Sequence, residues 1–270
     1  MSAFGDPLSR RAMLEVALLG AACGPLGVWV LLHRQAFAAE SLSHGLLPGV
    51  VLAALAGAPL VLGAAGGVVV AAAAIALAGR DERVGSDAGV AIAVGALFGA
   101  GALLALAPSS PPRLEELLFG DPLGATTGDL IASGTLAAAA VAALVALHRR
   151  LTLAAFDRTA AASLGAPPTT VELALLAVLA AVTVAGAPAL GNLLLVALVL
   201  GPATAALLAV RRVHNALLVA AALAVAAGVA GIVVSYALDV AAGASVALCA
   251  IMPVLAAIFV GKGHASRQRT

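Results

Sequence analysis

Charge is scarce in this chain: of 270 residues only 10% are charged, 14 basic and 13 acidic, while 63% are hydrophobic. An ordinary soluble domain is about 25% charged and about 45–50% apolar. So few charges cannot cover the surface that a soluble fold of this length shows to water, and the chain reads as an integral membrane protein. Cysteine is nearly missing too. Cys23 and Cys249 both fall in apolar stretches, which leaves neither a disulfide framework nor a cysteine-rich metal site. Lysine occurs once, as Lys262, and no Gly-x-x-x-x-Gly-Lys-Ser/Thr phosphate loop is present. The chain therefore does not hydrolyse ATP by that route, and uphill transport would draw on a partner or an ion gradient. A net charge of +1 offers no basic field for phosphates, which excludes nucleic acid as a partner. Apolar and polar residues do not alternate in runs such as Val50 to Leu55, Val68 to Ala78 and Ala216 to Ala227, as an outer-membrane barrel would need. Helices are left as the spanning elements.

Charge clusters and Gly/Pro turns divide the chain into about nine apolar segments, each close to the length of about 20 residues that a span needs. They fall near 12–32, 42–58, 60–79, 86–107, 128–148, 171–187, 190–210, 214–236 and 243–260. Joining segments at the turn from Gly57 to Gly63, or at the turn near Pro188, would give eight. The expectation is an all-α polytopic bundle, one transmembrane domain over residues 1–270 with no soluble domain between spans. Arg10-Arg11 ahead of an apolar run has the form of a secretion signal, but no convincing cleavage site follows and it reads as the first span. Basic residues set the orientation. With the N-terminus outside, Arg34, Arg80, Arg83, Arg149, Arg150, Arg158, Arg211, Arg212, Lys262, Arg267 and Arg269 lie inside, and only Arg10, Arg11 and Arg113 outside. The loop at 108–127 is then external and the segment at 149–170 cytoplasmic. Small-xxx-small pairs at Gly20/Gly24, Gly63/Gly67 and Gly95/Gly99 let helix backbones approach closely.

Three segments carry chemistry. Within 149–170, Asp157 can cap the first amides of a short helix, Gly165 suits the left-handed residue after it, and Pro167 stops continuation. Such a helix joined to two spans is a mechanical handle, or else a loop helix resting on lipid headgroups. In Glu40-Ser41-Leu42-Ser43-His44-Gly45-Leu46-Leu47-Pro48-Gly49, the i,i+4 spacing places Glu40 and His44 on one helix face. Pro48 has no amide for the His44 carbonyl, and Gly45 and Gly49 open space for a neighbour. Carboxylate, imidazole and a free carbonyl suit zinc, manganese or iron(II), bound weakly enough to leave again. The alternative is a pair of interfacial residues reaching headgroups. Asp239, after Ser235-Tyr236-Ala237-Leu238, either draws cations to an external mouth or sits in water. Asn192 and the kink at Gly201-Pro202 are of the kind that line pathways, or that join helices.

Together these stretches resemble the membrane permease subunit of the ABC importers for zinc, manganese and iron. The resemblance runs through Leu31 to Gly49, Leu118-Phe119-Gly120, and Phe156-Asp157 to Gly165 and Pro167. It continues through Gly191 to Pro202-Ala203-Thr204-Ala205, Ser235-Tyr236 to Asp239, and Gly243-Ala244. It implies a metal-type ABC permease of the bacterial inner membrane that pairs with a second copy and rests on two cytoplasmic ATPase subunits. Metal would arrive from an extracytoplasmic binding protein, ATP would be used on the partner, and no permanent cofactor would be held. The ATPase-contacting helix would fall on Asp157 to Leu164, with Phe156, Arg158, Ala161 and Gly165 in the same coupling segment. The family's acid-x-x-x-His motif would fall on Glu40 and His44. The acid is usually aspartate there, and Glu40 is longer by one methylene, which bears on reach and metal preference. Two other classes stay open: a gradient-driven transporter using Glu40, His44 and Asp239 as a proton relay, and a purely structural membrane subunit.

Overall fold

Apolar segments with no water to satisfy their amides must bond them internally, and the described residues do so as helices without a strand. The structure is a computed structural model that describes residues 7–78, 86–106, 124 and 126–267. The elements are α1 (Pro7–Leu32), α2 (Ala36–Leu55), α3 (Leu60–Ala78), α4 (Ser86–Ala105), α5 (Thr127–Phe156), α6 (Arg158–Ser163), α7 (Pro168–Leu190), α8 (Asn192–Ala209), α9 (Val213–Leu238) and α10 (Ala242–Arg267). All but the six-residue α6 correspond to the nine apolar segments read from the sequence. Among the described residues α1, α2, α5, α9 and α10 are long and apolar enough to cross a membrane, and the remaining long helices carry shorter apolar stretches. Arg80, Arg83, Arg113, Arg269 and the Leu118-Phe119-Gly120 stretch lie outside the described residues.

Three boundaries differ from expectation. α5 does not stop at 148 but runs through Arg149-Arg150 to Phe156, because Leu151 and Ala154 beyond the charges are buried. α2 begins at Ala36 rather than 42, so Glu40 and His44 lie within it. The break after α7 falls at Gly191, whose φ of 74° only glycine adopts readily, and not at Pro188.

α1 is the centre of the bundle and packs against α5, α7, α8 and α9. Close approach to α9 depends on small side chains. The buried face of α9 carries Ala216, Ala220, Ala224, Gly228, Gly231 and Ser235. Gly20 and Gly24 of α1 lie directly on the backbone of Ala224 and Ala220. Gly63 and Gly67 of α3 meet Gly49 and Gly45 of α2 in the same way. The third predicted pair differs, since Gly95 and Gly99 have no described atom near where a Cβ would stand. Overpacking costs about 1–3 kcal/mol, so Gly24→Val lowers stability by that amount or more while Gly95→Ala leaves it unchanged, as read by thermal unfolding in detergent. One carboxyl is enclosed in the α1–α5 contact: Glu15 is 2% exposed and accepts a 2.9 Å hydrogen bond from Ser133.

Candidate metal pathway and coupling site

α2 reaches its neighbours through glycine and proline, and this decides what surrounds its two ligand-type side chains. Glu40 and His44 stand one turn apart with His44 Nε2 3.8 Å from Glu40 Oε1. That is too long for a hydrogen bond. Metal–ligand lengths near 2.1 Å place two ligands of one ion roughly 3–4 Å apart, so the pair is spaced to share a cation. The His44 side chain is 16% exposed and that of Glu40 57% exposed. Phe98 of α4 meets the His44 ring edge-on at a centroid distance of 5.2 Å. Gly101 of α4 lies against Pro48, and Pro48 leaves the His44 carbonyl without a helical donor. No group of three His, Cys, Asp or Glu side chains forms among the described residues, so Glu40 and His44 stand as a two-ligand set.

The other predicted residues are distributed along the bundle. Antiparallel packing of α1 on α9 puts Asp239, which follows α9, beside the start of α1 and away from the α1–α2 end where Glu40 lies. Asp239 is exposed in the left-handed conformation, with φ 53°. A relay through all three groups is not assembled. Pro202 is buried inside α8 next to Gly201, which lies on the Ala250 backbone of α10. Asn192 opens α8, and its side chain lies outside the described residues.

The short helix α6 hangs between α5 and α7 with both ends fixed. Asp157 accepts from the Thr159 and Ala160 amides at 3.0 and 2.8 Å. Ala166 donates back to the Ala161 carbonyl at 2.8 Å, with Gly165 between them at φ 76°. Ala161 is fully buried, whereas Phe156 and Leu164 are 68% and 64% exposed. Apolar side chains thus project from both ends of a helix that is anchored by its middle.

Three contacts at this end escaped the sequence reading. Arg158 donates to Glu172 of α7 at 2.6 Å, closing α6 onto the next span. His33 Nε2 donates to the Leu151 carbonyl at 3.2 Å, joining the α1–α2 corner to the stretch of α5 that carries α6. Burial lowers the His33 pKa below the ordinary imidazole value. Trp29, one turn earlier, meets His148 of α5 edge-on at 5.4 Å. The i,i+4 spacing of Trp29 and His33 hinted at a shared face, but their partners lie more than a hundred residues away.

A multi-pass helical bundle with a short capped helix hung between two of its long helices defines a polytopic membrane protein of the permease class. Residues 6–261 match the ABC 3 transport family, and the chain belongs to it. The manganese transport system membrane protein MntC of Halalkalibacterium halodurans is 32% identical over 89% of this chain and 83% of that protein. The chelated iron transport system membrane protein YfeD of Yersinia pestis is 30% identical over 95% of this chain and 86% of its own length. Among solved structures, PsaBC from Streptococcus pneumoniae in complex with Fab superposes with a TM-score of 0.86 at 25% identity. That match covers 94% of this chain and 92% of the matched one. The resemblance read from the sequence to a metal ABC importer permease is met by these matches.

Proposed function

We propose that this chain is the permease subunit of a bacterial inner-membrane importer for a divalent transition metal, manganese or iron(II) ahead of zinc. The carrying observation is the Glu40–His44 pair, spaced to share an ion yet too few to trap it. The names of the relatives support manganese and iron over zinc. In this reading the whole chain is one permease domain with its N-terminus outside. It pairs with a second permease copy and takes metal from an extracytoplasmic binding protein. A separate cytoplasmic ATPase, gripping Phe156 to Gly165, supplies the energy, and ATP is bound there. The exposed Phe156 and Leu164 are suited to such a grip. The bond from His33 to Leu151 supports passage of that motion through the end of α5 to the corner from which α2 starts.

The test is reconstitution with the ATPase and binding protein of the same transporter in vesicles, measuring hydrolysis and labelled-metal uptake for manganese, iron(II) and zinc. ATP-dependent uptake with metal-stimulated hydrolysis is expected. Uptake driven by a proton gradient without ATP would instead establish a secondary transporter.

A further inference from the structure

On the outer side of the bundle, α5 and α9 both pack on α1 far more than on each other, which leaves a groove between them. Its floor is Ala21 and Pro25 of α1, and these small side chains leave a cavity of about 450 Å³. Val145 of α5 and Leu218 of α9 form its rims and are 70% and 60% exposed. The lining becomes polar at one end only, where Trp29, His148 and His214 converge. That is the end at which α1 finishes and α9 begins.

Arg211 and Arg212 closely precede His214 and are exposed, whereas Arg149 and Arg150 line a separate recess with Leu164, Gly165 and Ala166 beside the end of α6. The acids described at this end are engaged elsewhere. Asp157 caps α6, Glu172 holds Arg158, and Glu40 faces His44. Neither Arg211 nor Arg212 has a carboxylate partner among the described residues. From Ala21 to Trp29 the floor runs about 12 Å at 1.5 Å per residue. One leaflet of the hydrocarbon core is roughly 15 Å deep.

An apolar slot of leaflet depth, ending in uncompensated positive charge at the headgroup level, matches one kind of molecule. We propose that this groove binds an anionic phospholipid, with an acyl chain along α1 and the phosphate near His148, His214 and the Arg211-Arg212 pair. A second copy of the chain fits less well, because a two-fold contact would set the two arginine clusters against each other. Assignment to the cytoplasmic leaflet rests on the proposed orientation, whereas lipid binding itself does not.

The test uses the purified chain in detergent, with phosphatidylglycerol or phosphatidylcholine of identical acyl chains added before thermal unfolding. Phosphatidylglycerol is expected to raise the midpoint by roughly 5 °C or more, the size for a ligand near a hundred times its dissociation constant on a chain of this length. Phosphatidylcholine should raise it by less than half as much. Arg211→Gln with Arg212→Gln, both on the surface, should abolish the difference between the lipids. Ala221→Trp, which fills the groove, should abolish both shifts. Equal shifts from the two lipids in the wild type, or a phosphatidylglycerol shift that survives the arginine pair, would overturn the proposal. So would a disulfide between copies carrying Val145→Cys in native membranes, since the groove would then be a permease–permease contact. Separately, labelling of Arg158→Cys by a membrane-impermeant thiol reagent in intact cells would overturn the orientation and the leaflet, while the thermal shift still reports on lipid binding.

Discussion

His44→Ala is expected to abolish metal uptake in reconstituted vesicles while the ATPase still copurifies with the permease. The argument is one of ligand number. Glu40 and His44 are a two-ligand set among the described residues, so removing the imidazole halves the side-chain contribution. Losing even an outer partner of a metal ligand costs about 10–100-fold, and a direct ligand costs no less. The structural cost is small by comparison. The described ring contact of His44 is edge-on with Phe98, and such a pair contributes about 0.5–1.5 kcal/mol. Glu40→Asp should retain partial transport, because the carboxylate persists one methylene further from His44, and it should alter the preference among manganese, iron and zinc. Wild-type uptake from His44→Ala at matched protein levels would return both residues to a headgroup-contact role.

The second large effect is expected at α6. Leu164→Arg puts a charge into the apolar contact proposed for the ATPase, at a side chain 64% exposed and therefore dispensable to the bundle. Thermal unfolding of the isolated permease should not change, while metal-stimulated hydrolysis falls by tenfold or more, a loss of about 1.4 kcal/mol of coupling. Gly165→Val acts by a different route. Gly165 has φ 76°, and a β-branched residue there is strained, so the turn that fixes the end of α6 shifts. The two variants separate contact from geometry. If ATPase copurification and metal-stimulated hydrolysis are unchanged in both, α6 is not the point of force transfer.

The number and placement of long helices were legible in the sequence because burying an apolar segment in lipid is a local decision. Each segment is apolar enough, or is cut by charge, glycine or proline, without reference to the rest of the chain. The α6 cap was legible for the same reason, since Asp157, Gly165 and Pro167 act on backbone groups within a few residues of themselves. The i,i+4 relation of Glu40 to His44 is likewise a property of one helix.

What the sequence could not decide were matters settled between segments. Arg149-Arg150 looked like a terminus, yet burial of Leu151 and Ala154 against the bundle carries α5 two turns further. Three glycine pairs looked alike; Gly20/Gly24 and Gly63/Gly67 meet another backbone, while Gly95/Gly99 meet none among the described residues. The bond from His33 to Leu151, the Arg158–Glu172 pair and the groove between α5 and α9 depend on which helices lie side by side. In a chain this rich in alanine and glycine nearly every helix offers a face for close approach. Apolar content therefore fixed the spans, whereas side-chain fit and the few polar groups that needed partners selected the neighbours, and only the tertiary structure records that selection.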